Sequence, residues 1–155
     1  MDTLFRAPVA APDFRLVETL LLGSGALAPA LSAARDRLCA DLLAKSVTPV
    51  LCESWEELQA LNARHRNSWF ELLPKPASAP AFWLGLVDGE GEVVATHAAV
   101  LVDCTSAPFG ARLNNLAIFH APGAAPEEEW AFCASEAAHD TAGTVAWIVA
   151  GWTRP

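Results

Sequence analysis

Hydrophobic and polar positions change period several times along this chain, and each change predicts an element. Phe14, Val17, Leu20 and Leu21 recur at helical spacing until Gly23-Ser24-Gly25 interrupts them, which predicts a short amphipathic helix after an irregular, proline-containing lead-in over residues 1–12. Pro29 opens a second helix, because proline suits a first turn where its missing N–H has no partner to lose. Leu31, Ala34, Leu38 and Leu42 form its predicted apolar stripe, Arg35, Asp36, Arg37 and Asp41 face outward, and Lys45 closes the last turn against the helix dipole.

From Val47 the pattern shortens. Val47-Thr48-Pro49-Val50-Leu51-Cys52 is rich in branched residues, and Pro49 restricts it to a sheet edge or to the start of a strand. Ser54-Trp55-Glu56-Glu57 has the S-x-x-E form of a capping box, so a helix starts at Ser54. Trp55, Leu58, Asn62, His65, Trp69 and Leu72 fall three and four apart and share its predicted face, and Leu73-Pro74-Lys75-Pro76 ends it. Such a stripe more often packs into a core with its polar members hydrogen-bonded. It also has the residues of a pocket wall, and Asn62, His65, Trp69 and Trp83 are the candidates for one.

Ala81–Val87 and Glu92–Cys104 read as two strands joined by the turn Asp88-Gly89-Glu90-Gly91. Along the longer strand Val93, Ala95, His97, Ala99 and Leu101 share one face and Val94, Thr96, Ala98, Val100 and Val102 the other. Both faces are mostly apolar, which predicts a central strand covered on both sides. His97 then has two readings, a buried neutral imidazole, which burial favours, or a general base for an incoming amine. Leu113–His120 predicts a further short strand that starts near Asn114 and Asn115. Glu127-Glu128-Glu129 suits a helix start while Trp130-Ala131-Phe132-Cys133 suits a strand, and periodicity does not decide between them. Ser135–His139 reads as a helical turn, and Thr144-Val145-Ala146-Trp147-Ile148-Val149-Ala150-Gly151-Trp152 as the closing strand.

Composition narrows the class. A chain of 155 residues, 53% hydrophobic and 18% charged, builds a single core. Its net charge of −8 argues against nucleic acid as a partner, since a polyanion needs a basic face. Cys39, Cys52, Cys104 and Cys133 form no C-x-x-C pair, so disulfides and zinc are not expected, and free thiols fit a reducing compartment. A cysteine nucleophile, Cys104 or Cys133 beside His97 or His120, is a minor alternative. No apolar run approaches a membrane span and the first residues lack a secretory pattern, so no membrane partner and a cytoplasmic location are expected. Phosphate-loop, dinucleotide, zinc-protease and serine-hydrolase motifs are all missing from the sequence.

Three stretches carry a resemblance: Leu61-Asn62-Ala63-Arg64-His65-Arg66-Asn67-Ser68-Trp69 before a proline-rich loop, Gly91-Glu92-Val93-Val94-Ala95-Thr96 in the hairpin, and Ala150-Gly151-Trp152-Thr153-Arg154-Pro155. With the order of elements from Val47, they resemble the GNAT-type (Gcn5-related) N-acetyltransferases over residues 47–155. The resemblance implies an α+β fold with a mostly antiparallel mixed sheet flanked by helices. Residues 1–46 would form a helical amino-terminal segment of the same compact domain. It implies an acyl-CoA-dependent N-acetyltransferase-like protein whose closing strand is the family's fourth strand. There, free backbone groups pair with the pantetheine arm as an added strand would, and a strand N–H polarises the thioester carbonyl.

Carried over, Ala150, Gly151, Trp152, Thr153 and Arg154 would lie along acetyl-CoA or another acyl-CoA. His97 would be the catalytic base, and the acceptor would be a small-molecule amine. The family's R-G-x-G pyrophosphate loop does not follow Pro155, so an incomplete cofactor site is expected. The alternative is a non-catalytic GNAT-like assembly module whose open closing strand pairs with a second copy or a partner chain.

Overall fold

A computed structural model describes residues 15–20, 22 and 24–155; the expected lead-in, Phe14, Leu21 and Gly23 lie outside the described residues. Helices α1 (Arg15–Glu18) and α2 (Ala28–Ala44) precede strand β1 (Thr48–Cys52) and helix α3 (Trp55–Arg64). Strands β2 (Ala81–Val87) and β3 (Val93–Cys104) form the hairpin, short helices α4 (Phe109–Asn114) and α5 (Glu136–Asp140) follow, and β4 (Gly143–Thr153) closes the order. The four strands make one antiparallel sheet in the order β1-β2-β3-β4, so the class is α+β and the sheet is not mixed.

By contacts the chain divides into two compact units. The first takes residues up to Cys52, Leu84–Thr96 and Gly151–Pro155; the second takes Glu53–Trp83 and His97–Ala150. In the first, Val17, Leu42 and Val47 are buried together, with Cys39, Leu86 and Val94 packed on them. Pro29 does sit in the first turn of α2, whose end is closed by the Lys45 N–H on Asp41 O at 3.1 Å and the Ser46 N–H on Leu43 O at 3.0 Å. The predicted stripe of α2 is a correction, however: only Leu42 is buried, while Leu31, Ala34 and Leu38 are exposed. Alanines on several sides of this helix leave it with little amphipathic contrast, so regular spacing of its leucines does not select the packed face.

The hairpin turn is built as its residues dictate. Asp88 Oδ1 accepts the Glu90 and Glu92 N–H groups, each at 3.0 Å, and Gly91 takes the positive φ of 84° that side chains disfavour. Pro49 lies in β1, an outer strand, where a missing N–H breaks no ladder on the open side.

The second unit holds a core of its own. Val100, Val102 and Cys104 of β3 are buried with Ile118, and Trp55, Phe109, Phe119, Val145, Trp147 and Val149 pack against them. Phe119 meets Trp147 edge to face with ring centroids 5.2 Å apart. Strand β3 occupies an interior position, as its apolar faces predicted. Its Val100 side is the more completely buried, and His97 and Asp103 open the other to solvent.

Three expectations fail in this unit. Residues 113–120 are not a strand: α4 ends at Asn114, and turns follow through Phe119. The two asparagines explain it: Asn115 Oδ1 accepts the Ala117 N–H at 3.0 Å, a local bond that competes with a ladder, and Asn114 Oδ1 accepts the Cys133 N–H at 2.6 Å from 19 positions away. Helix α3 stops at Arg64 rather than continuing to Leu72, and His65 is its C-cap. Residues 127–133 form neither helix nor strand, so neither alternative for Glu127–Cys133 holds.

Candidate functional site

The second unit carries a groove of about 740 Å³ between α3, the proline-rich segment and the loop after α4. Trp55, Glu56, Glu71, Lys75, His120 and Glu129 are the residues lining it that bear chemistry. A smaller hollow of about 480 Å³ shares Trp55, Glu56 and Lys75 and adds Glu53, Phe82 and Leu101.

Local structure fixes each wall. Ser54 caps α3 by accepting the Glu57 N–H at 3.2 Å, and its hydroxyl donates to Glu56 at 3.3 Å, which sets Trp55 and Glu56 in the first turn. Lys75 Nζ donates to Ala79 O at 2.9 Å and Pro76 O at 3.3 Å and stands 5.7 Å from the centroid of the Trp55 ring. Its ammonium is thereby held against an aromatic face. His120 Nε2 and Glu129 Oε2 are 2.6 Å apart, the histidine side chain mostly covered and the glutamate half-exposed. In the neutral tautomer that donates its Nε2 proton to Glu129, the His120 ring carries its lone pair on Nδ1, and no described residue donates to that atom.

The sequence-predicted pocket residues hold other posts. Asn62 is buried and donates to Phe70 O at 2.8 Å while accepting from Arg66 Nη1 at 3.2 Å, so its amide ties the chain beyond α3 back onto the helix. Trp83 is 2% exposed and donates Nε1–H to Ser54 O at 3.0 Å, joining β2 to the start of α3. Trp69 is buried, and His65 is half-buried at the helix end. None of the four lines either groove.

His97 is exposed on β3, which removes the buried-imidazole reading. Cys104 is buried and burial pushes its thiol up, with the nearby Arg112 opposing and Asp103 adding to the rise. A protonated, enclosed thiol is a poor nucleophile. Cys133 is also buried, with Sγ 3.8 Å from Ser135 O, and all four cysteines are free. No cluster of metal-ligating side chains occurs among the described residues.

Strand β4 has its own geometry. Val145, Trp147 and Val149 are turned inward in alternation with exposed Ala146 and Ile148, but Trp152, of the opposite parity, is buried as well. The change of face falls at Ala150, whose φ of 55° lies in the left-handed region. Beyond it Gly151 and Thr153 are exposed. Arg154 donates its N–H to Val94 O at 2.8 Å and its guanidinium to Asp88 at 3.0 Å.

The His120–Glu129 pair is what sequence reasoning missed. The residues are nine apart in an irregular segment, where no period relates them, and the only signal was a histidine followed by the acidic run Glu127–Glu129 between α4 and α5. Against protein families, curated proteins and solved structures, the chain finds no significant match. No described helix is long and apolar enough to cross a membrane.

Proposed function

We propose that the chain is a GNAT-like, acyl-CoA-dependent N-acyltransferase-type protein in which β4 carries the pantetheine arm. The observation that supports this reading most is the position of β4. With no strand at 113–120 it is the fourth strand among the described residues, and it is the outer member of an antiparallel β1-β2-β3-β4 sheet, where an extended arm adds as a further strand. Ala150, Gly151, Trp152, Thr153 and Arg154 are the segment concerned. Gly151 bears no side chain to hold an arm off, Thr153 is exposed, and Trp152 is turned inward as support. Bound acyl-CoA supplies an acyl thioester as electrophile, and an acceptor amine is the co-substrate. His97, exposed on β3, remains a candidate base in this reading. The test is thermal unfolding with acetyl-CoA: a rise in Tm that saturates supports the proposal, and no shift at millimolar ligand overturns it.

A second reading, a non-catalytic assembly module, draws on the same strand. Ile148 is 54% exposed on an outer strand of 11 residues, a surface that recruits another strand unless something covers it. Sedimentation separates the two, since a well-folded monomer at all concentrations excludes pairing between copies.

A further inference from the structure

We propose that the groove between Trp55 and His120 binds an amphipathic primary amine, with His120 as the acceptor of the proton that the amine gives up. As the acceptor seat of a transferase it rests on the acyl-transfer reading above; as a binding site it stands on its own geometry.

The groove, at about 740 Å³, has room for a small organic molecule. Its walls divide by chemistry. Trp55, Leu72, Leu73 and Pro74 offer apolar surface for a carbon arm. Glu56, Glu71 and Glu129 put three carboxylates around the opening against one ammonium, that of Lys75. Lys75 makes no ion pair with any described carboxylate and is held by two backbone carbonyls over the indole, so it leaves Glu56 unneutralised. Glu71 is shared with Arg66 at 2.8 Å, outside the lining. An ammonium on an apolar arm is the ligand that satisfies both walls; an anion would meet the carboxylates, and a neutral alcohol would leave them unanswered.

The dyad adds a chemical capacity that an acidic surface alone lacks. Glu129 fixes the His120 ring through Nε2, so in the Nε2–H tautomer the Nδ1 lone pair has a set direction and no described donor. An ammonium proton transferred to Nδ1 leaves the amine nitrogen with its lone pair, and the imidazolium formed is stabilised by the Glu129 carboxylate. His97, by contrast, lines neither groove.

The experiment is an NMR titration of the whole chain with hexylamine, 1-hexanol and hexanoate in parallel, following the His120 imidazole and Trp55 indole resonances. Saturable shifts with hexylamine, and weaker binding of 1-hexanol and hexanoate by about tenfold, are expected. Equal binding of all three, or no shift with hexylamine, overturns the proposal. Glu129→Gln keeps a hydrogen-bond acceptor but removes the charge, and it is expected to weaken hexylamine about tenfold with the amide spectrum otherwise unchanged; unchanged affinity counts against the dyad. Acetyl-CoA added to the same samples separates the two readings. Hexylamine binding without any acetyl-CoA response retains the amine site and overturns acyl transfer, whereas the converse overturns the amine site alone.

Discussion

The Arg154 guanidinium lies 3.0 Å from Asp88 Oδ2, so the residue just past β4 is fastened to the turn of the β2–β3 hairpin, 66 positions away in sequence. Its backbone N–H on Val94 O reinforces the link. One functional consequence is direct: an anionic ligand that uses Arg154 must compete with Asp88 for it.

Asp88 is the more important partner. It also accepts two backbone N–H groups, so Asp88→Ala is expected to cost about 1 kcal/mol or more, while Arg154→Ala, at a half-exposed pair, costs about 0.5 kcal/mol. Chemical denaturation of both variants checks the order.

The same carboxylate gives a pH dependence. The Glu92 N–H first, and after it the Glu90 N–H and Arg154, hold the Asp88 carboxyl below its ordinary 3.8; burial, second in size only to the Glu92 N–H, pulls the other way. The unfolded chain therefore takes up this proton more readily than the folded one, and stability from Asp88 is present above pH 3.8 and lost as pH falls through the lower native value. Acid unfolding of Asp88→Ala should lack this component; an acid limb identical to that of the parent chain contradicts it.

Ala150 tests the change of face in β4. Its left-handed φ is disfavoured for any residue with a Cβ and more so for a branched one. Ala150→Gly is expected to leave stability equal or higher, and Ala150→Val to lower it by about 1–2 kcal/mol. Thermal unfolding of the pair reads the difference.

Trp83→Phe removes the Nε1 bond to Ser54 O from a site 2% exposed and leaves that carbonyl only the longer bond from the Leu58 N–H at 3.4 Å. A loss of about 1 kcal/mol is expected. Asn62→Ala, which strips Phe70 O of its partner, should cost a similar amount and raise proteolytic cleavage after α3.

Thiol labelling separates the cysteines. Cys39 and Cys52 are half-buried and should react in the native state, whereas Cys104 and Cys133 react only on unfolding. Fast native labelling of Cys104 contradicts its enclosure.

Elements marked by a specific local device were legible in sequence. The Ser54 cap, the Asp88–Gly91 turn, Pro29 at the head of α2 and Pro49 on an outer strand each reflect one backbone requirement met by one residue type. Where tertiary partners decide, the reading failed. The α2 leucines have regular spacing but only Leu42 of the predicted stripe is buried, and the 113–120 strand was pre-empted by asparagine side chains bonding to backbone. The polar groove was the least legible, because His120 reaches Glu129 through loop geometry that no periodicity encodes.

The central claim concerns β4, and the most direct measurement is an amide ¹H–¹⁵N titration of the chain with acetyl-CoA. Saturable shifts centred on residues 145–154 are predicted. Shifts confined to other elements, or none up to millimolar cofactor, would contradict it.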